Sequence, residues 1–171
     1  MYVTLAQLAD APGAKELSEV ASSERLGSPL VDATLFDLTL RGVDRSAYSP
    51  DEISRADEAK VRVLSAVESA DELINAHLAR RLAVPQSSVP GVLVRIARAL
   101  VRYELHKNLI GADQGHPVLR DYRDALRLLE SIRDGKVTLG PQDPVAANES
   151  TAGDVRFESS APVFGRVRGA R

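Results

Sequence analysis

"ADELINAHLARRLAVPQSSVPGVLVRIARALVRYELHKN", residues 70–108, carries two helical patterns joined by a short segment between prolines. Val84 precedes Pro85 and Val89 precedes Pro90. The pyrrolidine ring pushes a preceding residue out of helical geometry, so "VPQSSVP" is read as an ordered elbow at which the chain turns back. Beyond it, Val92, Leu93, Val94, Ile96, Ala97, Leu100, Val101, Tyr103 and Leu105 cover more of a helix than one partner helix can bury. Such wide burial implies the centre of a core or a subunit interface. Within this apolar run stand Arg95, Arg98 and Arg102, three and four residues apart and hence on one helical face, with His106 one turn further on.

Working outward, "SPDE" supplies Ser49 as an N-cap, Pro50 for the first helical position and Glu52 where a capping box needs a carboxylate. From there Ile53, Ala56, Val63, Val67, Ala70, Ile74 and Leu78 recur at helical spacing, with Leu64 and Leu73 widening the stripe, which predicts one long helix with a buried face to about Leu82. Pro90 opens the next helix, predicted to run to about Leu109. A third is expected over 117–134, with Leu119, Tyr122, Leu126, Leu129 and Ile132 as its apolar stripe and Gly135 as its stop. On its outer face Arg120 with Asp124, and Arg127 with Glu130, are spaced to pair. Near the start, Thr4 caps a short helix bearing Leu5 and Leu8, "APG" at 11–13 interrupts it, and "AKELSEVA" begins another. The stretch 22–49 reads poorly: "DATLFDLTLRG" fits a helix over 32–41 stopped by Gly42, which is preferred, or a strand. "KVTLG" after Gly135 has the pattern of a short strand.

The 171 residues suit one domain with arms, and aromatic residues are scarce, so the core must come from Leu, Val, Ile and Ala. The expected fold is therefore all-α: a small helical bundle with a long central helix, a proline-bounded elbow and an extended C-terminal arm, divided as 1–140 and 141–171. The net charge of −2 argues against a dedicated nucleic-acid binder. Cysteine is absent, which removes disulfides and thiolate metal sites. Neither a signal peptide nor a membrane span is expected from the sequence.

No catalytic, cofactor or metal site is expected. His77, His106 and His116 lack metal-ligand spacing, Ser87 and Ser88 lie in no nucleophile motif, and "GADQG" lacks the Gly-Lys-Ser/Thr pattern of a phosphate loop. Asp57 with Glu58, and Asp71 with Glu72, are sequence neighbours that point apart around a helix and read as solvated charge. The arginine row has three readings. It is an exposed face or is paired internally with acids of the long helix; it meets carboxylates of a neighbouring subunit; or it lines a surface that nucleic acid passes. In the arm, Val155, Phe157, Val163 and Phe164 are interleaved with Arg156, Arg166, Arg168 and Arg171, and Glu158 is the one acid among them. That pattern suits docking of a basic segment with apolar anchors onto an acidic partner, with a disordered solubilising tail as the alternative.

The opening "YVTLAQLAD" and "KELSEVA", then "ADELINAHLARRLAVPQSSVPGVLVRIARALVRYELH", then "YRDALRLLESIRDGKVTLG", taken in that order, resemble the Mu-like phage and prophage head-completion proteins that serve as head–tail connector, or neck adaptor, subunits. The likeness covers about the first 20 residues and 61–140. The segment 22–49 is longer than that family's usual link, and the tail after Gly140 extends past the shared part. The resemblance implies an adaptor domain over 1–140 and a non-enzymatic subunit of a homo-oligomeric ring of twelve. The ring sits under the portal protein, receives the next neck or tail protein, and lets genomic DNA pass along its axis without sequence-specific contact. It implies a place at the head–tail interface of the virion, and in the host cytoplasm during assembly. The alternative weighed against it is a helical DNA-binding regulatory protein, disfavoured by the long proline-locked elbow and by the sign of the net charge.

Overall fold

A computed structural model of the chain describes residues 1–22, 30–84, 86, 88–110, 115–140 and 143. The described residues form an all-α bundle: α1 (Leu5–Leu8), α2 (Ala14–Ala21), α3 (Ala33–Arg41), α4 (Pro50–Leu78), α5 (Gly91–His106) and α6 (Pro117–Arg133). Residues Ala9–Gly13 form a kinked link between α1 and α2, with an extended Ala11, a cis Ala11–Pro12 peptide and Gly13 at φ 111°. α4 packs most extensively on α5, and α5 in turn on α6, while α2 and α3 close the remaining side of α4.

Local chemistry explains where each helix begins and ends. Thr4 and Ser49 both make reciprocal capping boxes, with Gln7 and Glu52 respectively, so the exposed N–H groups of α1 and α4 are satisfied by side chains. Asp32 accepts from the N–H groups of Thr34 and Leu35, and Gly42 takes a left-handed φ of 68°. The ambiguous "DATLFDLTLRG" is thus a helix, as preferred. At the end of α6 the Lys136 N–H returns to the Ser131 carbonyl at 2.9 Å over Gly135 at φ 77°, a stop that a side chain with Cβ adopts only with strain.

The stripe on α4 is buried as expected from Ala56 to Leu78, and Ala59 and Ala66 join it. The helix stops at Leu78 rather than near Leu82. There the Arg81 and Leu82 N–H groups both turn back to the Leu78 carbonyl, and Leu82 and Val84 pack on the core from outside the helix. α5 likewise ends at His106, short of Leu109, which is exposed. On α6 the buried edge is Val118, Ala125, Leu129 and Ile132, so Leu119 lies off it while Tyr122 and Leu126 are partly covered. The "KVTLG" stretch is not a strand, and no strand occurs among the described residues. Val137 and Leu139 instead lie against the core as irregular chain. The outer pairs on α6 also differ from those expected: Arg127 meets Asp124 at 3.3 Å and Arg120 approaches Asp121 at 4.0 Å.

Long-range polar contacts tie both ends of the described chain to the bundle. The Tyr2 N–H donates to Asp71 at 2.9 Å, and the Tyr2 hydroxyl donates to Asn75 at 2.5 Å, which ties the chain start to the C-terminal part of α4. Burial raises the Tyr2 pKa, with a smaller opposing effect from a backbone hydrogen bond at Gln86. At the far end Asp143 is buried against Arg81 and also accepts from the Leu139 N–H at 2.9 Å. The helical unit therefore holds the chain three residues past Gly140.

Candidate functional site

The helix spacing that aligned Arg95, Arg98, Arg102 and His106 does place them along one side of α5. That side forms a wall of a groove of about 520 Å³. The Ala11–Pro12 link and α6 supply the other walls, with Ala99, Ala125 and Leu128 as apolar lining and Asp121 and Asp124 at the rim. His106 does not line it.

The four residues divide into two pairs. Arg102 is held in a fork by Glu16 of α2, with Nε at 2.5 Å and Nη2 at 3.0 Å from the two carboxylate oxygens, and its Nη1 lies 3.4 Å from Asp121. The hydrogen bonds that Arg102 donates to Glu16 raise its pKa, partial burial opposes this, and the charges of Glu16 and Asp121 add to the rise. His106 Nδ1 lies 2.7 Å from the Arg102 carbonyl, which as an acceptor requires the ring to carry its proton there. Its Nε2 lies 3.5 Å from Glu16. Glu16 therefore locks α2 to the C-terminal half of α5. The internal partners come from α2 and α6, not from the acids of the long helix.

Arg95 and Arg98 have no such lock. Arg95 is exposed, Arg98 is half-buried, and neither has a carboxylate within ion-pair distance among the described residues. The Arg98 Nε is buried without a hydrogen-bond partner among them. A guanidinium nitrogen in that state carries a desolvation cost. The groove thus offers two permanent charges beside an apolar floor. Between α5 and α6 Tyr103 and Tyr122 stack at 3.8 Å with planes 17° apart, and burial raises the Tyr122 pKa.

Nothing in this geometry resembles a reaction centre. His77 Nδ1 faces the Leu73 carbonyl at 2.8 Å, and His116 accepts from the Val118 N–H as the N-cap of α6, so the three histidines serve separate local contacts. No group of His, Cys, Asp and Glu with metal-binding geometry occurs among the described residues, and no described helix is long and apolar enough to cross a membrane. Ser88 is exposed at the elbow. Ser87, most of "GADQG" and the arm residues Val155, Phe157, Val163, Phe164, Arg166, Arg168 and Arg171 lie outside the described residues.

A family model described as "Bacteriophage Mu, Gp36" matches residues 2–157. The chain belongs to the bacteriophage Mu Gp36 family. It is 37% identical over 128 residues to the Mu-like prophage FluMu protein gp36 of Haemophilus influenzae, a match that covers 75% of this chain and 85% of that protein. It is 31% identical over 101 residues to gene product J of Escherichia phage Mu, covering 59% of this chain and 69% of that one. Membership in the Gp36 family makes this a Mu-like phage protein and supports a structural or assembly role, a non-enzymatic one, in association with the virion.

Sequence reasoning found the arginine row but missed Glu16, the residue that divides it. Glu16 stands 86 positions away in the chain. Its one visible signal was a carboxylate in the first turn of the short α2 pattern.

Proposed function

We propose that this Gp36-family chain is a head–tail connector, or neck adaptor, subunit. It assembles as a ring of twelve under the portal protein, completes the head, receives the next neck or tail protein, and leaves an axial path for genomic DNA. The observation that carries this reading is the family match over 2–157. The groove gives it a physical counterpart. A rigid helical bundle with Arg95 and Arg98 left over beside apolar surface is built to hold another protein's carboxylates, and two arginines are too few for a duplex-binding face. Arg102 and His106 stiffen that surface from within. The arm supports the same reading, because Val155, Phe157, Val163 and Phe164 among Arg166, Arg168 and Arg171 suit docking on the portal or on an adjacent subunit. The protein then works in the virion at the head–tail interface and passes through the host cytoplasm during assembly.

The test is genetic. Phage or prophage in which this gene is interrupted should accumulate DNA-filled heads and free tails that do not join, and supplying the chain in trans should restore joined particles. Normal yields of joined, infectious particles from the interrupted gene would refute the proposal.

A further inference from the structure

α4 and α5 form the most extensive helix pair of the bundle, and each carries an uncompensated charged row on the side away from its buried face. On α5 the buried residues are Leu93, Ile96, Ala97, Leu100 and Val101, and Arg95 and Arg98 lie about half a turn from their centre. On α4 the buried face runs through Ala56, Val63, Ala70 and Ile74. Half a turn from it stand Glu58, Glu68 and Glu72, all exposed and without ion pairs among the described residues. Val61, 64% exposed, lies among them as the most exposed large apolar side chain of the described helices. Glu68 and Glu72, four apart, repel each other along the helix, as Arg98 and Arg102 do before Glu16 intervenes.

We infer that the groove bearing Arg95 and Arg98 receives the outer face of α4 from a second copy of this chain. Glu68 and Glu72 of that copy meet Arg95 and Arg98, and its Val61 enters the apolar lining of Ala99 and Leu128. The spacings agree. Glu68 and Glu72 are about 6 Å apart along their axis and Arg95 and Arg98 about 4.5 Å along theirs, within the reach of guanidinium forks. Arg98, half-buried in that wall, gains a carboxylate partner that it lacks among the described residues. Because the two surfaces lie on opposite sides of the α4–α5 layer, two copies cannot satisfy both at once around a two-fold axis. The contact is head-to-tail, which closes into a ring when the rotation permits. The inference rests on the ring reading and names the surfaces that build it.

The experiment uses the full chain in sedimentation velocity, at low salt and at ~1 M salt, where the screening length falls to ~3 Å. The native chain should self-associate at low salt and dissociate at high salt. Arg95→Gln with Arg98→Gln should weaken association about tenfold or more, and Glu68→Gln with Glu72→Gln should do the same. Arg95, Glu68 and Glu72 are exposed and Arg98 is half-buried, and circular dichroism should show that each variant keeps its helicity. An equimolar mixture of the two double variants retains one intact groove and one intact α4 face per pair, so it should form one-to-one pairs and nothing larger. A native chain that stays monomeric at low salt, variants that associate like it, or a mixture that gives no pairs would each overturn the inference. Electron microscopy with portal protein separates the two levels. Equal rings from native and variant chains would sink the surface assignment and leave the ring reading standing, whereas solution pairs with no ring on the portal would do the reverse.

Discussion

Replacing Val67 by Asp probes the bundle at its centre, with Val61→Asp as an internal control on the same helix. Val67 is 1% exposed and Val61 is 64% exposed, so the two substitutions present one chemistry to opposite environments. Burial of a valine side chain contributes roughly 1.5–3 kcal/mol. A carboxyl group without a partner adds about 1–3 kcal/mol on mutational scales even when it takes up a proton. The sum of about 4 kcal/mol is a large share of the roughly 5–15 kcal/mol that holds a domain together. In a chain of this size it corresponds to a fall of about 8–16 °C in melting temperature. Val61→Asp should change the midpoint by under about 2 °C, because its side chain already meets water. The assay is thermal unfolding followed by far-ultraviolet circular dichroism at ~1 M salt, where the proposed contact through Val61 is dissociated and does not enter the midpoint. A Val67→Asp protein that melts with the native one, or a Val61→Asp protein that falls as far, would show that the assigned face of α4 is wrong.

Three further outcomes are expected. Asp143→Ala should cost about 3–5 kcal/mol in chemical denaturation by leaving the Arg81 guanidinium buried without its carboxylate, and Arg81→Met with Asp143→Leu should recover much of the loss. For the same reason a chain ended after Gly140 should be less stable than one ended after Asp143. The Ser49 hydroxyl and N–H hold the Glu52 carboxyl below its usual pKa, so its contribution is present at neutral pH and is lost as pH falls through that lowered value. Glu52→Gln should therefore lower the melting temperature slightly near neutrality and not at all in acid, and a gap that persists or widens in acid would reverse the sign. Glu16→Gln should loosen α2 from α5, and faster amide exchange in α2 with unchanged protection in α4 would show it; uniform exchange in native and variant chains would deny Glu16 the locking role.

What could be read from the sequence was what short-range chemistry dictates. Ser49, Pro50 and Glu52 announced the start of α4 within four residues, and Val84 and Val89 before prolines located the elbow, because caps and pre-proline sterics act over one turn of chain. The end of α4 at Leu78 was not legible, since Ala79, Arg80 and Arg81 are good helix formers and the turn there depends on packing and on Asp143, 62 positions beyond Arg81. "KVTLG" had the residue types of a strand but no strand to pair with among the described residues, and its hydrophobic residues settle on the bundle instead. The arginine row was visible as periodicity. Its division was not, because Glu16 and the Ala11–Pro12 wall come from segments that only the tertiary fold brings to α5.

The most direct test of the connector reading is electron microscopy of the purified chain mixed with the portal protein of its own phage. The account predicts a twelvefold ring seated on the portal and coaxial with its channel, with density for the C-terminal arm against the portal or a neighbouring subunit. Portals that remain bare at saturating concentrations of folded chain would contradict it.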